Sequence, residues 1–274
     1  MNLFRSVESG IVWILSSPRM QTIADKLFVT SLKARGFNNY HSPSASGENN
    51  FLQWALDSVK EDVFCIDVGA NIGAWSLHVD QIARRKGHAA HIWAFEPSST
   101  ASRLFEERLP SGSSIRIFRK GLGASVGEAQ LRSPIHGSSH ASTMDNLSEI
   151  LCLDQSVELV SSSVLIDTLD NTVALEPTPL PHCHILKIDV EGCELSVIQG
   201  SRIAIDTLKP KFIQLEFNRY QLFAGYTLLD LSKLLPEYKL HQIMPFSRGL
   251  RERNPSDSGV NMYFWSNWVF VRSI

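Results

Sequence analysis

"CIDVGANIG", residues 65 to 73, sets two glycines four residues apart directly behind an apolar run, with an acid two places before the first of them. A short apolar run that ends in a glycine turn and passes into a helical pattern is the opening unit of an open α/β sheet. The helix brings free backbone N–H groups to the turn, where polar or anionic groups of a ligand are held. Gly69 and Gly73 let the chain turn tightly and leave room that a Cβ would fill. Asp67 narrows the reading further. A carboxylate at that point repels a pyrophosphate and suits a cationic or hydrogen-bond-donating ligand. The three-glycine dinucleotide fingerprint is also missing, because Gly69, Ala70, Asn71, Ile72, Gly73 and Ala74 read "GANIGA".

Outward from this turn, apolar runs alternate with helical patterns: "VFCIDV" (63–68), a helix over about 72–86, "HIWAFE" (91–96) and a helix over about 98–109. "SIRIFRKGLG" continues as a third strand and "EAQLRS" as a short added one. A second half then opens with "HILKIDVEG" (184–192), followed by a helix over about 194–207, "KFIQLEFN" (211–218), a helix around Leu228 to Leu235 and a closing strand in "NWVFVRS". The rhythm predicts a mostly parallel sheet with helices on both faces. Glu96, before Pro97 in "AFEP", ends the second strand, where an acid accepts hydrogen bonds from both ribose hydroxyls. Either acid alone reads as a helix cap or an exposed strand end. Together, flanking a turn without the glycine triad, they fit a nucleoside with a positively charged appendage, S-adenosylmethionine, better than NAD.

The bulk numbers set limits. A chain of 274 residues, 43% hydrophobic and 20% charged, buries one sizeable core, and a net charge of -2 without a basic stripe argues against a dedicated nucleic-acid binder. Cys65, Cys152, Cys183 and Cys193 lack CxxC spacing and read as free thiols of a reducing compartment. "IVWIL" (11–15) is too short for a signal-peptide core or a membrane span, so a cytoplasmic protein is expected. Leu3, Phe4, Val7, Ile11, Ile14, Leu15, Ile23, Leu27, Phe28 and Leu32 recur near the helical period, and "NNYHSPSASGENN" (38–50) reads as a linker or an exposed loop. The expected division is a helical extension with linker over 1–45 and the main domain over 46–274. The Ser-rich stretch 133–163 between the two halves reads equally as a lid and as a surface loop.

"LKIDVEGCE" (186–194) supplies the second cluster. Period-two alternation puts Lys187 and Asp189 on one face at the carboxyl edge of a strand, and Glu191 follows in the turn. Such a group holds an acceptor hydroxyl and takes its proton, or else forms a structural ion pair that supports the turn; both readings stay open. Spacing alone does not converge Asp189, Glu191 and Glu216 on a divalent ion, and "HCH" (182–184) lacks a second ligand pair at zinc spacing, so no metal site is assigned. His136 and His140, in the Ser-rich stretch, are further candidates for acid–base work.

Taken in order, "FCIDVGANIGAWSL", "AFEP", "HGSSHAS", "LIDTLD", "LKIDVEGCELSVIQG" and "KFIQLEFN" resemble the FkbM-type S-adenosylmethionine-dependent methyltransferases over roughly residues 50–272. The resemblance implies a Rossmann-like methyltransferase sheet of seven strands, the last antiparallel, and methyl transfer to a hydroxyl of a sugar or natural product. Carried onto this chain, it implies that Asp67, Gly69, Asn71 and Gly73 line the cofactor turn, Glu96 takes the ribose hydroxyls, and Asp189 with Glu191 faces the transfer site. The expected function is therefore an O-methyltransferase with a small-molecule or carbohydrate acceptor. The alternatives are a methyltransferase-like binding or scaffold protein and, weakened by the missing triad, an NAD-dependent oxidoreductase.

Overall fold

Every side chain of residues 63–68 is buried, as a strand covered by helices on both faces requires. The computed structural model describes residues 2–39, 42–134, 141–153, 158–246 and 248–273. The strands are β1 (Val63–Val68), β2 (Ala90–Phe95), β3 (Ser114–Phe118), β4 (Gly121–Leu122), β5 (Gly127–Ser133), β6 (Val160–Asp167), β7 (Ile185–Ile188), β8 (Phe212–Phe217), β9 (Tyr238–Ile243), β10 (Leu250–Glu252) and β11 (Ser266–Arg272). Eight form one sheet in the order β10-β9-β11-β8-β7-β1-β2-β3. The strands from β8 to β3 in that order pair in parallel, whereas β11 runs antiparallel to both β8 and β9. This is the expected α/β sheet with its reversed last strand. β10, a three-residue edge strand antiparallel to β9, adds an eighth member beyond the seven expected. A second sheet, β4-β6-β5, grows from the segment after β3.

The helices are α1 (Asn2–Leu15), α2 (Gln21–Ala34), α3 (Pro43–Ser46), α4 (Glu48–Asp57), α5 (Ala74–Arg85), α6 (Ser99–Glu106), α7 (Leu147–Ile150), α8 (Leu169–Ala174), α9 (Glu194–Gln199), α10 (Arg202–Leu208), α11 (Arg219–Ala224) and α12 (Leu228–Leu234). Alternation along the strands divides the core in two. Phe64, Ile66, Val68, Leu186 and Ile188 face α9, α10 and α12. Val63, Cys65 and Ile185 face Phe51 and Leu52 of α4, Val79 and Ile82 of α5, and Phe105 of α6. Because side chains alternate, Asp67 and Lys187 belong to this second face, and β1 and β7 place them directly opposite each other.

There are three local departures. The pattern over 194–207 is two helices, α9 and α10, parted at Gly200 and Ser201, and a Cβ on Gly200 would lie 2.0 Å from the Gly123 carbonyl oxygen. The stretch 38–50 is not only a linker. Ser42 caps α3 through the Ala45 N–H, with Pro43 in its first turn, and α4 starts at Glu48 and buries Phe51, Leu52, Ala55 and Leu56. The Ser-rich segment carries α7, and Ser142 bridges back to Arg132. At the N-terminus α1 folds on α2, and the chain reaches the body through buried Leu32 and Phe37 and through the Asn38 N–H, which donates to the Trp265 carbonyl at 2.7 Å. Among the described residues no helix is long and apolar enough to cross a membrane, and the four cysteines are free.

Candidate active site

The strand order reverses between β1 and β7, so the loops leaving their carboxyl ends diverge and open a crevice, the place where open α/β sheets hold ligands. A cleft of about 980 Å³ fills it. One end is mainly apolar, walled by Phe95, Pro97, Gly121, Leu122 and Ile166, with Glu96, Gly69 and Asn71 at its inner side. The other end is acidic and aromatic, with Asp189, Glu191, Glu216 and Asn218 beside Tyr220 and Trp265. A smaller cavity of about 290 Å³ adjoins the cleft and is lined by Glu48, Lys187, Gln214 and Trp75.

The turn after β1 is shaped by the protein's own contacts. Gly69 has φ +79°, and a Cβ there would lie 1.9 Å from the Asp189 carbonyl oxygen. Gly73 has φ +78°, and its Cβ would overlap the Phe105 ring at 2.0 Å. Both positions therefore demand glycine for conformation and for close approach. The room they leave is taken by the β7 turn and by α6. Asn71, also at positive φ, donates its backbone N–H to Glu96 at 2.7 Å, and Ser98 N–H donates to the other Glu96 oxygen at 2.7 Å. Burial is the largest influence on Glu96 and pushes it up to about 7 against these two donors. The Asn71 side-chain oxygen is buried without a hydrogen-bond partner at the wall of the cleft.

Beneath the turn, Asp67 is fully buried. It accepts from the Ser76 hydroxyl at 2.7 Å and faces Lys187 Nζ at 3.5 Å, while the same ammonium reaches Asp189 at 3.1 Å. Burial raises the Asp67 carboxyl and opposes the Lys187 charge, but Asp189, Asp67 and Glu48 outweigh burial at Lys187 and raise its pKa. Glu48 joins from α4: Gln214 donates to it at 2.6 Å and takes the Trp75 indole N–H at 3.3 Å.

The turn after β7 is held differently. Glu191 adopts φ +51° and Gly192 φ +100°. Buried Glu194 collects the Val190 and Gly192 N–H groups, the Gln221 amide and the Tyr226 hydroxyl. From the Ser-rich segment, the Ser142 hydroxyl donates to the Glu191 carbonyl at 2.8 Å, so that segment seats itself on the turn. Glu191 and Glu216 are both held well above the ordinary carboxyl range. Burial is the leading cause for each, followed by Glu216 and Asp189 acting on Glu191, and by Asp189 acting on Glu216. Asn218 donates to Glu216 at 2.6 Å. Tyr220 is buried between this pair and Leu147 and Ile150 of α7, and its hydroxyl has no hydrogen-bond partner.

Gly69, Asn71, Glu96, Pro97, Asp189 and Glu191 thus meet in one cleft. Asp67 lies under it, Ala70 and Lys187 face the smaller cavity, and Gly73 sits beneath Phe105. His140, like His136, lies outside the described residues. Among the described residues, no three His, Cys, Asp or Glu side chains are arranged to hold a metal ion. Glu48, Tyr220 and Trp265 were not expected here. Glu48 stood in a polar stretch read as linker, and the aromatic pair arrives from segments remote in sequence, with no local pattern to mark them.

The sequence model of the Methyltransferase FkbM domain matches residues 67–241. The hexuronic acid methyltransferase AglP of Haloferax volcanii is 30% identical over 198 residues, covering 71% of this chain and 70% of that protein. Methyltransferase 1 of Beauveria bassiana is 26% identical, over 60% of this chain and 72% of its own length. A crystal structure of an FkbM methyltransferase from Methylobacillus flagellatus superposes with a TM-score of 0.45 at 18% identity, over 77% of this chain and 44% of that one. The two turns that build the cleft, after β1 and after β7, both fall inside the matched span, and on that match the chain belongs to the FkbM family of methyltransferases, which use S-adenosylmethionine as methyl donor.

Proposed function

We propose that this protein transfers a methyl group from S-adenosylmethionine to a hydroxyl of a sugar or another small acceptor. The observation that carries this reading is the polarity of the one cleft: an apolar slot with a single buried carboxyl at one end, and a cluster of carboxyls with aromatic walls at the other. The slot beside Phe95, Pro97, Leu122 and Ile166 suits an adenine, with Glu96 beside it to accept from ribose hydroxyls. Asn71, whose side-chain oxygen is buried at the cleft wall without a partner, suits the ammonium of the amino-acid part. The residues present therefore fit the donor. Bound there, it supplies a sulfonium methyl carbon, which forms the new O–C bond as its C–S bond breaks.

The chain's own residues do the rest. Asp189 and Glu191 line the acidic end of the cleft, and Lys187 holds the Asp189 carboxylate at 3.1 Å. Glu191, whose hold on a proton is strengthened by burial and by its acidic neighbours, is placed, in its ionised form, to accept the acceptor's hydroxyl proton as the bond forms. Asn218, Tyr220 and Trp265 shape the space where an acceptor ring lies, and positioning of this kind matters as much as the base. The sugar part of the proposal draws support from the hexuronic acid relative.

Calorimetry with S-adenosylmethionine and S-adenosylhomocysteine tests the donor end. Failure of the folded protein to bind either would sink the reading. A labelled-methyl screen against hydroxyl, amine and thiol acceptors then tests the acceptor end. Label appearing only on nitrogen or sulfur would overturn the assignment to oxygen.

A further inference from the structure

The cleft leaves one conspicuous feature of the molecule without a role. Of seventeen exposed large apolar side chains among the described residues, nine lie in α1 and α2: Val7, Ile11, Val12, Trp13, Ile14, Ile23, Leu27, Phe28 and Val29. On α1, Val7, Ile11 and Ile14 recur at helical spacing and line one stripe, while Val12 and Trp13, the latter 79% exposed, carry the apolar surface round to the other sides of the helix. An exposed apolar area this concentrated marks an interaction surface. Charge selects among its partners. Residues 1–36 hold five Lys or Arg against two Asp or Glu, although the whole chain carries -2. A symmetric contact with a second copy would set one basic hairpin against the same basic hairpin. An anionic bilayer surface meets both the apolar stripe and the positive charge, and tryptophan is favoured at that boundary. The 14 residues of α1 fall short of the roughly 20 needed to span a bilayer, so the helix would lie in the surface plane.

We propose that the α1–α2 hairpin docks the protein onto anionic lipid and, in doing so, brings the acidic, aromatic end of the cleft to the membrane. The connection is direct. Phe28 packs edge-on against Phe264 at 6.3 Å, the Asn38 N–H donates to Trp265, and Asn38, Phe264 and Trp265 all line the cleft. An acceptor carried on a lipid would reach the cleft in this orientation; that last step rests on the acceptor-end reading above, whereas the docking itself does not.

The test is co-sedimentation of the full chain with vesicles of phosphatidylcholine, with and without phosphatidylglycerol. The expected result is partition onto the anionic vesicles that falls steeply with added salt, with quenching of Trp13 by bromolipids. Ile11→Asp with Ile14→Asp should weaken partition on the order of a hundredfold. Arg19→Gln with Lys26→Gln, which leaves the apolar stripe intact, should weaken it roughly tenfold. Both pairs should bind S-adenosylhomocysteine as the parent does, which shows that the body remains folded. Partition that is absent, or equal for parent and variants, would overturn the proposal. So would reversible dimerisation in light scattering that the Ile11→Asp, Ile14→Asp pair abolishes while vesicles bind nothing.

Discussion

Two pairs of ionisable groups lie along the same carboxyl edge of the sheet and are treated in opposite ways. Asp67 is the more deeply buried, yet it has a cation opposite and a hydroxyl donor beside it. Glu191 and Glu216, half-buried at the cleft wall, face each other's charge and that of Asp189. The first pair is compensated and therefore holds shape. The second is a concentration of like charge, which stability alone does not favour and which marks a candidate site for acid–base work. Burial by itself does not separate the two; the sign of the neighbour does.

The comparison breaks most visibly if Lys187 is replaced. Lys187→Met leaves Asp67 buried without its counter-ion and should cost about 3–5 kcal/mol of stability, read from denaturant midpoints; a change within experimental error would show that Asp67 is already neutral and uncompensated. On the other pair, Glu191→Gln should lower methyl transfer by about a hundredfold to a thousandfold while calorimetric binding of S-adenosylhomocysteine is retained. If binding fell along with rate, Glu191 would belong to the donor end.

A smaller effect comes from Glu96, which stands between the two cases. Its carboxyl is raised to about 7. If the ionised form accepts from the donor's ribose, affinity should fall by about tenfold per pH unit below 7 and level off above it. Glu96→Gln should lose that slope between pH 6 and 7. The smallest effect concerns Glu216. A carboxyl raised in the fold binds its proton more tightly there than in the unfolded chain, so it withdraws stability as pH rises above its ordinary value of 4.5. Glu216→Gln should therefore stabilise the protein by about 1 kcal/mol at pH 8, with the gain vanishing at pH 4. Lost stability at pH 8 would mean that the Asn218 hydrogen bond outweighs the charge.

Much of this site is legible along the chain because its parts are local. "VFCIDV" carries an uninterrupted apolar run with an acid near its end, and "ILKID" repeats the arrangement on β7. A strand's side-chain period then dictates that Asp67 shares a face with Cys65, and Lys187 with Asp189. The boundaries of β1 and the start of α9 follow from the same patterns. Tyr220 and Trp265, by contrast, stand far from the turns they help to enclose, and nothing adjacent in the chain announces their meeting. Glu48 was obscured by its setting: the first turn of α4 is polar, so the apolar spacing that identifies the helix begins only at Phe51.

The glycines show most directly where the two sources divide. Their spacing behind an acid raised the expectation of a ligand turn, and only in ordered combination with "AFEP", "LKIDVEGCE" and "KFIQLEFN" did it point to the family. Their immediate purpose was a tertiary matter, since the space above Gly69 belongs to the Asp189 carbonyl and that above Gly73 to Phe105. The sequence by itself determined which residues reach the edge of the sheet, because alternation and turn chemistry act over a few residues. Only the tertiary structure decided which carboxyls there meet a cation and which meet each other, because that depends on strands β1, β7 and β8 and on helix α4 lying side by side.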